Sequence, residues 1–196
     1  MTEFSEMNSN LTEWTGMNIS TPLDMYSLYT TLMAQYMMGL SLPAWSNTVF
    51  PDGKLKSGIN YAFQVANSNI KLRRLYGGPL LRTMTEDMLA SKNGELKKRQ
   101  LNLYSGHQTN IGSMLSVLDV YKPHVPKYSS AVILELLHIN ESYYVKVVYY
   151  KGIPSEAIDL QIPGCQILCP LDTFIEITSD VRPSDEELIC RKTNKL

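Results

Sequence analysis

Leu101-Asn102-Leu103-Tyr104-Ser105-Gly106-His107-Gln108-Thr109-Asn110 is the stretch whose reading decides the fold class. Leu101, Leu103 and Tyr104, beside small Ser105 and Gly106, predict a short apolar strand that stops at His107. Ile111, Met114, Leu115 and Leu118 then recur at helical spacing, so the chain is expected to pass from that strand straight into a helix. In open α/β sheets the crevice beyond the carboxyl ends of the strands is where ligands bind. A helix that starts there offers free N–H groups and a partial positive charge to an anion. An anionic ligand at His107 follows. The plainer alternative is that His107 only caps the helix or bonds the backbone.

Downstream, Lys122-Pro123-His124-Val125-Pro126 predicts a rigid connector. Residues 131–138 and 143–150 are rich in β-branched and aromatic side chains, and Ile139-Asn140-Glu141-Ser142 supplies a turn, so the two runs form an antiparallel hairpin. Glu135 interrupts the apolar run and reads as an outward residue on a solvated face, because a buried carboxylate needs a partner. Near the end, residues 171–177 read as a short helix and Ser184-Asp185-Glu186-Glu187 as a helix start.

Upstream, the first twenty residues are polar and Asn/Ser/Thr-rich, which suggests a loose lead-in before a unit that occupies residues 21–196. Thr21, Pro22 and Asp24 mark a helix start, with Tyr26, Tyr29, Met33, Tyr36 and Met37 as its inward stripe until Gly39. A second helix is expected over 54–75, burying Ile59, Ala62, Phe63, Ala66, Ile70 and Leu75, and a third from Pro79 to residue 91 burying Leu81, Met84 and Met88. Gly77-Gly78 lacks the following Lys-Ser/Thr of a phosphate loop and reads as a helix terminus with close backbone approach. The fold class is therefore α/β: a helical first half, then a strand–helix unit and an antiparallel hairpin.

With 44% hydrophobic residues in a chain of 196, a core can be buried. The net charge is -1 and no basic run is longer than Lys97-Lys98-Arg99, so nucleic acid is not an expected partner. No stretch approaches the length of a membrane span, and the first fourteen residues lack the basic start and apolar core of a signal peptide. Arg73, Arg74, Arg82, Arg99, Arg182 and Arg191 read as solvated surface charge. Ser105 stands two residues before His107, but Tyr-Ser-Gly-His lacks the Gly-x-Ser-x-Gly elbow of a serine hydrolase. Cys165 and Cys169 lie in a Pro-Gly and Pro turn context that suits either a disulfide or two free thiols. No second Cys/His pair is near enough to suggest zinc, and Cys190 is the odd thiol. Sequons occur at Asn10, Asn18 and Asn140.

Three ordered segments, LYSGHQTNIGSMLSVLDVY from Leu103, PKYSSAVILELL from Pro126 and PGCQILCPLDTF from Pro163, resemble the carboxyl-terminal part of a histidine acid phosphatase. The likeness is to the branch that includes the prostatic, lysosomal and insect venom enzymes, and it runs from about Thr21 to about Cys190. It implies an incomplete histidine-phosphatase-type fold and, in complete family members, hydrolysis of phosphate monoesters through a phosphohistidine. His107 would hydrogen-bond the phosphoryl oxygens, and no metal or other cofactor is implied. The resemblance also implies a Cys165–Cys169 disulfide, a partner for Cys190 from the early half of such enzymes, a homodimer, and a secreted or lysosomal location.

Two departures from the family pattern bear on activity. The nucleophilic histidine belongs to an Arg-His-Gly segment, which occurs nowhere in the 196 residues, and the six arginines match none of the family's phosphate-clamp positions. Gln108 stands where the family has the aspartic acid that protonates the leaving oxygen, and a carboxamide cannot deliver a proton. General acid catalysis contributes about 10²–10⁴-fold, so weak or absent turnover by the chain alone is expected. The alternatives are a non-catalytic anion-binding protein and a secreted interaction protein.

Overall fold

Met7 and Leu11 set the first element: they are the apolar residues of one face of the polar opening segment, and both are buried. The computed structural model describes residues 4–154 and 156–189, and residues 5–15 in it form a helix, α1 (Ser5–Thr15). The expected loose lead-in is thus corrected by two buried side chains at i and i+4. Gly16, at φ 71°, closes α1 in the left-handed conformation that glycine tolerates.

The chain divides into two units, one of residues up to 65 together with 123–125, the other of 66–122 together with the residues from 126 onward. The first holds α1, α2 (Pro22–Met37), a 3-10 turn at Ala44–Thr48 and most of α3 (Lys54–Ala66). Thr21 caps α2 as its spacing demands. The Thr21 hydroxyl accepts from the Asp24 N–H at 3.2 Å, and the Asp24 carboxylate accepts from the Thr21 N–H at 2.7 Å. The buried face of α2 is Met25, Leu28, Tyr29 and Leu32, so the expected aromatic stripe is rotated from the true one. Both stripes fit helical spacing and share Tyr29, but Tyr36 and Met37 lie beyond the last packed turn and are 55% and 62% exposed. On α3, Leu55, Ile59 and Phe63 are buried at four-residue intervals.

The helix expected over 54–75 is broken. Asn67-Ser68-Asn69 interrupts it, and the Asn69 side chain accepts from the Leu72 N–H at 2.9 Å to start a separate helix, α4 (Ile70–Tyr76). Asparagine and serine side chains offer the backbone local partners that compete with helix continuation. Ile70 and Leu75, expected inside, are exposed, as is Ala66.

The second unit continues with α5 (Gly78–Lys92), α6 (Gln108–Val117), β1 (Ala131–Ile139), β2 (Ser142–Tyr150), β3 (Ala157–Leu160), β4 (Cys169–Pro170), α7 (Leu171–Ile177), a 3-10 turn at Ser179–Val181 and α8 (Asp185–Leu188). Its sheet is antiparallel, in the order β1-β2-β3 with β4 also on β2. Ala131 pairs with Tyr150 and Ile139 with Ser142, and Asn140 and Glu141 both have positive φ, 47° and 63°. That pair of angles is the two-residue type I′ turn whose twist suits a hairpin. Val132, Leu134 and Leu136 of β1 and Val145 and Val147 of β2 face the core, where they meet Leu81, Met88, Met114, Leu118, Leu171 and Phe174. On the other face Glu135 is exposed and Lys146 reaches Asp159 at 3.0 Å and Glu135 at 3.8 Å, so Glu135 is the outward residue its position suggested.

Gly77-Gly78 is a junction of closely packed backbone. A Cβ at Gly77 would stand 2.6 Å from the Ser113 carbonyl oxygen, and one at Gly78 would overlap the Val181 carbonyl. The segment after α7 is clasped across this junction: Arg74 Nη2 pairs with Glu187 at 2.6 Å, Arg82 pairs with Asp185, and Arg82 Nη1 donates to the Pro183 carbonyl at 3.0 Å.

The expected strand at 101–104 does not form. Those residues are an irregular loop, with Leu101 68% and Leu103 84% exposed. A strand exists only through a hydrogen-bonded neighbour. Among the described residues the four strands pair with one another and none pairs with this segment. No helix among the described residues is long and apolar enough to cross a membrane.

Candidate functional site

His107 is the N-cap of α6, with extended backbone angles φ -107° and ψ 168°. Its carbonyl accepts the first bonds of the helix, from Asn110 N–H at 2.8 Å and Ile111 N–H at 3.3 Å. Asn110, three residues on, turns back: its Oδ1 accepts from the His107 backbone N–H at 2.8 Å. Together these form a capping box, in which the His107 side chain also faces the Asn110 backbone N–H, with asparagine where glutamate or glutamine is usual. The His107 backbone is fixed by that bond while the residue stays exposed. Gly106 lies against the same amide, and a Cβ there would be 3.0 Å from Asn110 Oδ1.

Asp87 of α5 ties down the loop that leads to His107. Its Oδ1 accepts from Arg99 Nη2 at 2.9 Å and its Oδ2 from the Tyr104 hydroxyl at 3.0 Å. Burial pushes the Tyr104 phenol above its ordinary value, and the hydrogen bond to Asp87 adds to the rise. Neither Asp87 nor Asn110 stands out in the sequence as part of a site. Asn110 carries a local signal, a polar residue at the third helical position. Asp87 carries none, because its partners lie 12 and 17 residues away.

Gln108 opens the first turn of α6 beside His107, half-buried. Ser105 lies exposed in the loop. The other two histidines stand elsewhere: His124 in the connector, and His138 on β1 opposite Tyr143, its ring stacked on the phenol at 4.5 Å between centroids. The arginines read as solvated surface charge are engaged instead. Arg73 pairs with Asp119 at 2.6 Å, Arg74 with Glu187, Arg82 with Glu86 and Asp185, Arg99 with Asp87, and Arg182 donates to the Ile175 carbonyl at 2.8 Å. Asp119, Asp185 and Glu187 lie 46, 103 and 113 residues from their arginines, which is why local reading leaves those side chains in solvent. Arg191 and Cys190 lie outside the described residues.

Cys165 and Cys169 form a disulfide, with Cα atoms 5.5 Å apart. It closes the loop between β3 and β4, and Cys169 is buried against β2 opposite Val145. Of the sequon asparagines, Asn18 and Asn140 are exposed, whereas Asn10 is half-buried on α1. Among the described residues no group of three or more His, Cys, Asp or Glu side chains is placed to hold a metal ion.

The family model of the histidine phosphatase superfamily, branch 2, matches residues 4–150, and the chain belongs to that family. It is 49% identical over 191 residues to the venom acid phosphatase Acph-1 of Apis mellifera, covering 97% of this chain and 49% of that protein. Prostatic acid phosphatase of Rattus norvegicus is 31% identical over 170 residues, 85% of this chain and 44% of the relative. Human lysosomal acid phosphatase is 29% identical over 194 residues, 96% and 44% respectively. The chain thus spans about half the length of the curated relatives it matches.

Proposed function

We propose that this chain contributes one side of a phosphomonoester-binding site, with His107 as its principal donor. The observation that carries the reading is the placement of His107 at the head of α6, exposed, with its own backbone N–H already engaged by Asn110. The imidazole is then the group offered to a phosphoryl oxygen, beside the partial positive charge of the helix terminus. Affinity of this kind comes from charge-assisted hydrogen bonds to phosphate oxygens.

Turnover asks for more than His107 supplies. An Arg-His-Gly nucleophile segment is absent from the 196 residues, and Gln108 occupies the proton-donor position of the family motif. The ester is hydrolysed, on this reading, when a polypeptide carrying the nucleophile and its arginines completes the site, and Gln108 leaves the completed enzyme slow. The lengths of the relatives support that division, since each is about twice the span matched here. Binding without turnover is the second reading, favoured by the same glutamine.

Relatives from venom, prostate and lysosome, together with a disulfide, support a secreted or lysosomal setting. Asn18 and Asn140 are the glycan acceptors favoured by exposure, and a homodimer is carried over from the resemblance. Titration of the purified chain with inorganic phosphate or vanadate, followed by release of p-nitrophenol from its phosphate ester, tests the proposal. Anion binding that His107→Ala weakens by at least tenfold, with no turnover, is the expected result. Absence of binding overturns it, and full turnover by the chain alone overturns the half-site division.

A further inference from the structure

We infer that Asp87 is the positioning residue of the His107 site: from α5 it fixes the loop before His107 and thereby the direction in which the imidazole is presented. The inference rests on the reading of His107 as a phosphate donor for its functional meaning, and on the loop geometry for its structural content.

Residues 93–107 connect α5 to α6 with no helix or strand among them. Backbone bonds close turns over residues 93–99 of this segment, Arg99 N–H donating to the Leu96 carbonyl at 3.0 Å, whereas the apolar residues Leu101 and Leu103 beyond them face solvent. Two side chains in it reach back to one carboxylate, Arg99 from its middle and Tyr104 from three residues before His107, each to a different oxygen of Asp87. The bonds are complementary: a charged donor holds one oxygen and a neutral donor the other, so both oxygens of the carboxylate are used. Beyond Tyr104 the path is short and constrained. Gly106 packs on the Asn110 amide, and the His107 N–H donates to that same amide. The chain is therefore held on both sides of residues 105–106, by Asp87 before them and by Asn110 after them.

Asp87 itself touches no reacting group, so its effect on phosphate passes through His107. Removing the carboxylate releases Tyr104 and Arg99 together, and the imidazole then samples several orientations, each binding less well in proportion to the lost occupancy.

The test compares wild type with Asp87→Asn, Tyr104→Phe and Arg99→Gln, with Glu141→Gln at the hairpin tip as a control. The His107 imidazole C–H resonance is recorded without ligand, and inorganic phosphate is then titrated. Asp87→Asn is expected to shift or broaden the His107 signal and weaken phosphate about tenfold, the size of losing hydrogen bonds to a charged group. Tyr104→Phe gives a smaller effect in the same direction, and the control none, while all variants keep a cooperative melt. Tyrosine absorbance at alkaline pH adds a local readout, since the Tyr104 phenol should titrate earlier once Asp87 is neutral. An unchanged His107 signal in Asp87→Asn overturns the inference. If wild type fails to bind phosphate, the functional reading of the site falls, but the ligand-free signal still decides whether Asp87 orients His107. Should Asp87→Asn fail to fold, Tyr104→Phe and Arg99→Gln each remove one arm and decide by the same signal.

Discussion

Gly78 shows how much can rest on one hydrogen. Its Cα passes so close to the Val181 carbonyl that any side chain would have to displace the segment leading to Pro183 and α8. Gly78→Ala is expected to destabilise the chain by about 1–3 kcal/mol, the usual cost of overpacking, read as a lowered urea midpoint with unchanged slope. At the same scale Thr21, Pro22 and Asp24 were legible in the sequence, because a capping box is a contract between residues three apart. His107 was legible as the head of a helix for a similar reason. Asp87 was not, since nothing local distinguishes it from any exposed acid on a helix.

Elements are legible in the sequence where the pattern is self-contained and less so where it depends on neighbours. The hairpin of β1 and β2 follows from two β-rich runs and a turn, and it lies where they place it. Its turn is nevertheless imperfect. Glu141 holds φ 63°, a conformation that costs a side-chain-bearing residue about 1–2 kcal/mol and glycine almost nothing. Glu141→Gly is expected to raise stability by about 1 kcal/mol, measurable as a higher melting temperature, and it leaves the Asn140 sequon intact. The segment at 101–104 went the other way: its composition is that of a strand, but hydrogen bonds are made between strands, and among the described residues it has no partner. The break at Asn67-Ser68-Asn69 lay within reach of the sequence, in side chains that cap rather than continue a helix.

Across the whole molecule, ion pairs such as Arg74–Glu187 hold distant segments, while others, such as Lys56–Asp52, are local. Asp24, Asp52 and Glu187 all have carboxyls below their ordinary values of 3.8, 3.8 and 4.5. The foremost causes are the hydrogen bonds from Thr21, Lys56 and Arg74 respectively. A carboxyl depressed in the folded state stabilises it fully above the ordinary value and ceases to do so as pH falls through the folded one. Urea midpoints should therefore be insensitive to these groups from neutral pH down to about pH 4.5 and decline below it. The Cys165–Cys169 link closes a five-residue loop, and by loop-closure entropy its replacement with two alanines is expected to cost about 2 kcal/mol, read from denaturant melts of the two proteins.

The sequence by itself determined the family, the helix that begins at His107, the hairpin and the capped start of α2. Each of these is written in residues close together along the chain, where spacing and turn chemistry are sufficient. Only the tertiary structure decided which stripe of α2 is buried, that residues 101–104 join no strand among the described residues, that the five described arginines are engaged, and that Asp87 holds the loop before His107. Those outcomes depend on which surfaces meet, and a side chain that satisfies helical spacing on two faces, or an arginine that reaches an acid a hundred residues away, carries no local mark of the choice.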